Sequence, residues 1–220
     1  MTIAHRYSLI VFDWDGTLID SAAAIATCIQ EAARELGLPV PDRDTASHVI
    51  GLGLHDSLRH AVPTLAPDGY TQFVDCYRKH FMTCEDSMQL FPGVPELIVE
   101  LRDRGHRLAI ATGKSRRGLD RALEASGMGP HFHATRCGDE TQPKPHPAML
   151  LELLQELAIE PQRSLMIGDT SHDLEMARSA GVAAIGVCSG AHPAHSLRAL
   201  APLACLQSVA ELGQWLEKNG

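Results

Sequence analysis

Four short apolar runs constrain this chain more than any other feature. Leu9-Ile10-Val11-Phe12, Leu108-Ala109-Ile110-Ala111, Leu165-Met166-Ile167 and Ala183-Ala184-Ile185-Gly186-Val187 are apolar at nearly every position. Each is too short for a helix and lacks in/out alternation, as in a strand covered on both faces. Between the later runs lie segments with helical periodicity. Val94, Leu97, Ile98 and Leu101 share one face, with Pro95 in the first turn and Gly105 at the end. Leu119, Ala122 and Leu123 mark a second helix closed by Gly127, Leu150, Leu153, Leu154 and Leu157 a third, and Leu174, Ala177 and Ala180 a fourth closed by Gly181. Strand–helix alternation predicts an α/β fold: a parallel sheet with helices on both faces, binding ligands beyond the carboxyl ends of its strands.

One stretch breaks the alternation. From about residue 19 to 88 the sequence shows helix patterns and no strand. Ala22, Ile25, Ala26, Ile29, Ala33 and Leu36 form one apolar face, and segments near 44–61 and 68–82 also read as helical. This predicts a core domain of residues 1–18 and 89–220 with a small all-helical domain, 19–88, inserted after the first strand.

Composition narrows the class of partner. A chain of 220 residues buries roughly 70% of its unfolded surface, so it needs neither disulfides nor a structural metal to fold. A net charge of -8 argues against a nucleic-acid or anionic-membrane partner. No apolar run is long enough to span a bilayer, and the first residues carry no secretory pattern. The six cysteines form no CxxC pair and read as reduced thiols, which predicts a cytoplasmic protein. Among twelve histidines, His131-Phe132-His133 and His192-Pro193-Ala194-His195 lack metal-site spacing and read as surface or loop histidines.

The chemistry gathers at strand ends. The first run leads into Asp13-Trp14-Asp15-Gly16-Thr17, two carboxylates two residues apart where a strand meets its loop. Asp is depleted in strands, and like charges about 4 Å apart repel by ~4 kcal/mol at an effective dielectric near 20. A solvated polar turn is the plain alternative; Gly16 permits a sharp turn and close approach to a ligand. Thr112-Gly113-Lys114-Ser115 follows the second run and opens a helix, a setting suited to an anion. It is not a P-loop, because position 108 is Leu108 where that pattern needs Gly. Gly168-Asp169-Thr170-Ser171-His172-Asp173 follows the third run, with Asp173 in the first helical turn, where an ordinary helix-start carboxylate is also a sufficient account. Only four lysines occur, and Lys144 stands between Pro143 and Pro145, read either as a rigid loop or as an immobilised ammonium aimed at the strand ends. Four carboxylates, Asp13, Asp15, Asp169 and Asp173, would repel one another and any phosphate. A divalent cation together with Lys144 resolves this, and oxygen ligands suit Mg²⁺.

These four motifs, in this order and with a helical insertion between the first and second, resemble those of the haloacid dehalogenase superfamily. The phosphoglycolate-phosphatase-like branch is the most similar, supported by Phe91-Pro92-Gly93-Val94 and Lys144-Pro145-His146-Pro147. The resemblance runs from about Leu9 to Val187 and implies a Rossmann-like core with a helical cap. It implies a Mg²⁺-dependent phosphatase acting on a small phosphorylated metabolite through an aspartyl-phosphate. Asp13 would be the nucleophile and Asp15 the general acid and base. Thr112, Gly113 and Lys144 would bind the phosphoryl oxygens. Asp13, Asp15 (through its backbone carbonyl), Asp169 and Asp173 would form the metal site. Asp15 would have to hold its proton near neutral pH, which crowding by like charge would favour. Trp14, in place of the more usual aliphatic residue, is expected to pack its ring. The presence of Asp15 disfavours the dehalogenases and phosphonatases. A phosphomutase of the β-phosphoglucomutase type, acting on sugar phosphates, keeps both aspartates and is the nearest rival. A non-catalytic binding module on the same fold would be expected to carry a damaged motif, and none is damaged. Gly51-Leu52-Gly53 is either a loop facing the site or a helix–helix turn, and Arg59, Arg78 and Lys79 are either contacts for a substrate carboxylate or second phosphate or, the plainer account, exposed charges of the helical segment. Small-molecule partners and a monomer or homodimer are expected.

Overall fold

The computed structural model describes residues 6–219, so Met1 to His5 at the start lie outside the described residues. Six parallel strands form one sheet: β1 (Leu9–Phe12), β2 (Arg107–Thr112), β3 (Ala134–Cys137), β4 (Ser164–Gly168), β5 (Ala183–Val187) and β6 (Ala204–Leu206). Their order is β3-β2-β1-β4-β5-β6. The chain therefore builds outward from β1 in one direction, then returns to β4 on its other side and builds outward again. Connections leaving β1 and β4 diverge, which opens a crevice at their carboxyl ends. In register, Phe12 pairs with Ile110 of β2 and Ile167 of β4.

Two apolar clusters clothe the sheet. Ile10, Phe12, Leu108, Ile110, Leu165 and Ile167 face α5 (Val94–Asp103), α6 (Arg116–Ser126) and α10 (Leu212–Asn219). Leu9, Val11, Ala109, Ala111 and Met166 face α7 (Ala148–Leu157) and α8 (Ser171–Ser179). The alternate residues of each strand thus point to opposite, equally buried faces, which is why the runs carry no polar alternation.

Helices α1 (Ala22–Glu35), α2 (Arg43–His48), α3 (Leu54–Ala61) and α4 (Tyr70–Cys84) gather around a third apolar cluster of their own, with Ile25, Ala26, Ile29, Leu58 and Phe73 at its centre. The segment expected as one helix over 44–61 is two. Val49 to Gly53 interrupts it, and Gly51 has a positive φ of 92° that a helix cannot contain. Chain entry and exit run side by side. Asp20 N donates to Gln89 O at 2.9 Å, and Phe91 N donates to Leu18 O at 2.9 Å.

Two edge strands escaped the sequence reading. β3 carries Thr135 and Arg136 at partly exposed positions, so it is no apolar run, and Arg136 pairs with Glu152 and Glu156 of α7. β6 has three residues. The residues after Val187 close the sheet and add Val209, Leu212 and Leu216 to the core. Among the described residues no helix is long and apolar enough to cross a membrane.

Candidate active site

The residues at the strand ends converge where the topology opens the crevice. Asp13 follows β1, and its backbone N–H donates to Ile167 O at 2.9 Å, fixing it against β4. Its Oδ1 accepts from Trp14 N at 2.7 Å, while Oδ2 is buried without a partner. The Trp14 ring is fully buried in the core, as expected for a side chain that packs while its backbone shapes the loop. Gly16 has φ 77°, and a Cβ there would lie 2.2 Å from Asp169 Oδ2. Only glycine lets the loop after β1 pass this close to the carboxylate after β4.

Asp169 is held on both oxygens, Oδ1 by the Thr17 hydroxyl at 2.8 Å and Oδ2 by Ala191 N at 2.7 Å. Burial and then the nearby Asp173 charge push its carboxyl up to about 7. Asp173 reconciles the two accounts of it. Its Oδ2 accepts from Thr170 N at 3.1 Å and the Thr170 hydroxyl at 2.7 Å, the capping box of α8. Its Oδ1 lies 2.7 Å from Lys144 Nζ. One carboxylate both starts a helix and faces the site.

Lys144 is 1% exposed, and its Nζ also lies 2.8 Å from Asp13 Oδ1. Burial alone would weaken its hold on a proton, but Asp13 and Asp173 outweigh that and hold its pKa above the ordinary lysine value. Burial likewise drives Asp13 well above the usual carboxylate range, with Lys144 opposing and Asp173 and Asp169 adding to the rise. Oxygens of Asp13, Asp169 and Asp173 all lie within 4.8 Å of one another. Three buried carboxylates beside one ammonium leave a formal charge of about -2 when all are ionised. A divalent cation taking oxygen ligands fits that deficit, and the partner-free Asp13 Oδ2 is the atom it would satisfy. Thr112 is buried beside them, its Oγ1 accepting from Lys114 N at 3.3 Å. Gly113 lies against the helical segment: a Cβ there would meet Leu52 O at 2.4 Å and Gly51 O at 2.6 Å. The Gly51-Leu52-Gly53 loop therefore faces the site.

The side chain of Asp15 does not join the acidic cluster. Ser21 Oγ donates to its Oδ1 at 2.7 Å, and Lys114 Nζ lies 3.1 Å from Oδ1 and 3.0 Å from Oδ2. The like-charge crowding expected around it is absent; a cation stands there instead. Lys114 also sits 4.7 Å from the centroid of the Phe81 ring on α4. Lys114, Ser21 and Thr17 were not singled out from the sequence. The scarcity of lysine is the one sequence signal that marks Lys114. Beside Asp15 opens a cavity of about 360 Å³ between the helical segment and the core. His192 is a loop residue, as expected, but a buried one: it is 3% exposed and stacks on His48, and its Nε2 and that of His172 both lie within 3.0 Å of His48 O. Lys79 pairs with Glu35 on the surface, as expected of an exposed charge.

Comparison with known proteins decides the family. The model of the haloacid dehalogenase-like hydrolases matches residues 10–187. This chain belongs to that family. It is 34% identical to a phosphoglycolate phosphatase of Chromobacterium violaceum over the whole length of both chains. It is 33% identical to the "Probable phosphatase IndB" of Dickeya dadantii over 93% of this chain and 91% of that one. Among solved structures, a haloacid dehalogenase-like family hydrolase from Streptococcus pneumoniae superposes with a TM-score of 0.81 at 26% identity, covering 96% of this chain and 98% of that one.

Proposed function

We propose that this hydrolase is a Mg²⁺-dependent phosphatase of the phosphoglycolate-phosphatase-like branch that works through a phosphorylated Asp13. The observation that carries the reading is Asp13 Oδ2, buried and partner-free at the sheet's switch point, with Lys144 2.8 Å from the other oxygen of the same carboxylate. Asp13 attacks phosphorus, the bond from phosphorus to the substrate oxygen breaks, and Asp15 gives that oxygen a proton. Asp15 then takes a proton from the water that attacks phosphorus, and the Asp13–phosphorus bond breaks to release phosphate. Lys144 and Thr112, with the Gly113 backbone, face the transferring phosphoryl group and stabilise its charge. Asp13, Asp169, Asp173 and the Asp15 backbone carbonyl would hold Mg²⁺, which supplies charge neutralisation at the phosphoryl oxygens. Lys114 is a positioning residue: its contact with Asp15 at 3.0 Å orients that carboxyl toward the leaving oxygen.

Residues 19–88 act in this reading as a cap on the core formed by 1–18 and 89–220, hinged where Asp20 meets Gln89 and closing through the Gly51–Gly113 contact. The six free thiols and acidic charge suit a cytoplasmic enzyme of small phosphorylated metabolites. The test is acid quenching during turnover of p-nitrophenyl phosphate with Mg²⁺. Phosphate should be trapped on wild-type protein and be absent from Asp13→Asn, which should fold normally yet turn over nothing. Trapping on another residue, or substantial turnover by Asp13→Asn, would defeat the mechanism. Isomerisation of a sugar phosphate without release of phosphate would favour the mutase.

A further inference from the structure

The cavity that adjoins Asp15 says more about the substrate than the phosphate site does. Resting on the phosphatase reading, we infer that the alcohol released by this enzyme carries an apolar part at least as large as a six-membered ring, so that phosphoglycolate is not its preferred substrate. The cavity holds about 360 Å³, more than twice the roughly 150 Å³ of an apolar protein cavity that takes up benzene. Much of its wall is aliphatic or aromatic, with Ile25 and Ile29 from α1, Ile50 from the loop before α3, Leu58 from α3 and Phe81 from α4. These residues come from the helical segment, and all five belong to its own apolar cluster. Arg78, Lys114, Arg117, Arg121 and Asp139 also line it. The cavity therefore borders the helical segment's hydrophobic core on one side and Asp15, Lys114 and the start of α6 on the other.

A short anionic alcohol such as glycolate would fill little of this volume and would need a cation beside Asp15. Lys114 is the lining cation in contact with Asp15, and it is already engaged by that carboxylate at 3.0 Å and by the Phe81 ring. Arg121, which also lines the cavity, is paired with Glu85 at 3.1 Å, and Arg78 and Arg117 line it without an ion pair to Asp15. An apolar group entering from Asp15 instead displaces water from aliphatic walls, the interaction this lining is built to give.

The test is a series of straight-chain alkyl phosphates, methyl to hexyl, with 2-phosphoglycolate alongside. These alcohols leave with nearly equal ease, so differences in kcat/KM report binding in the pocket. Each added methylene should raise kcat/KM about fourfold, and hexyl phosphate should surpass 2-phosphoglycolate. Binding of methyl- and hexylphosphonate by calorimetry should follow the same order, with a negative heat-capacity change for the longer one. A flat series, or 2-phosphoglycolate ahead of hexyl phosphate, would overturn the inference. If no phosphate ester is hydrolysed while hexylphosphonate still binds the tighter, the phosphatase reading falls and the apolar pocket stands.

Discussion

Replacing Lys144 by methionine tests the electrostatic design of the site, because it keeps the chain length and removes only the charge. Lys144 Nζ lies 2.8 Å from Asp13 and 2.7 Å from Asp173, in a site from which solvent is excluded. Removing one partner of such a buried pair costs about 3–5 kcal/mol. At about 2–4 °C per kcal/mol for a chain of this size, Tm should fall by about 6–20 °C. The loss should depend on pH. Lys144 itself is held above its usual value of 10.5, so its contribution is intact at every pH below that and plays no part in the slope. Asp13 is held above its usual 3.8, so the stability linked to its proton is present below 3.8 and is lost as pH rises through the raised folded value. Removing Lys144 takes away what opposes that rise, so the variant keeps losing stability over a wider span of pH. The gap between wild type and Lys144→Met should therefore be largest near pH 8 and shrink toward pH 5, where Asp13 takes up a proton in place of the missing ammonium. Denaturant unfolding without metal at the two pH values measures it. A gap below about 1 kcal/mol at pH 8, or one equal at both pH values, would refute the claim that Lys144 balances the buried carboxylates.

Three further outcomes follow from the same geometry. Without metal, Asp169 loses a stabilising proton as pH rises from about 4 through about 7, and Asp13 loses one as pH rises through its own raised value, so Mg²⁺ should raise Tm more at pH 8 than at pH 5; equal increments in differential scanning fluorimetry would contradict this. Gly113→Ala places a methyl group 2.4 Å from Leu52 O and should lower kcat/KM by at least about tenfold while α/β core stability stays near wild type, because the clash lies between cap and core; unchanged kinetics would remove the closed-cap contact from the mechanism. Lys114→Met frees Asp15 of its partner at 3.0 Å, and kcat for an alkyl phosphate should drop about tenfold or more while p-nitrophenyl phosphate, whose leaving group needs no proton, loses far less. Equal losses on both substrates would assign Lys114 to phosphate binding instead.

The sequence by itself determined the alternation of buried strands and helices, the insertion after the first strand, and the acidic groups and lysine at the strand ends. Those features are local: a strand buried on both faces must be apolar throughout, and a charge at its carboxyl end stands out against it. The sequence also marked Gly16 and Asp173, although a capping carboxylate and one that faces Lys144 cannot be told apart until Asp173 is seen to use one oxygen for each. Only the tertiary structure decided what lay across long gaps in the chain. β3 and β6 are edge strands, half exposed or very short, and have no periodic signature. Asp15 faces Lys114, ninety-nine residues away, rather than joining the acidic cluster of the carboxylate two positions before it. His192 is buried by His48 of the helical segment, and the cavity beside Asp15 lies between α1, α3 and α4 on one side and the start of α6 on the other. Strand periodicity and charge are written residue by residue; which charge neutralises which, and what shape the remaining space takes, depends on packing between segments that the sequence keeps far apart.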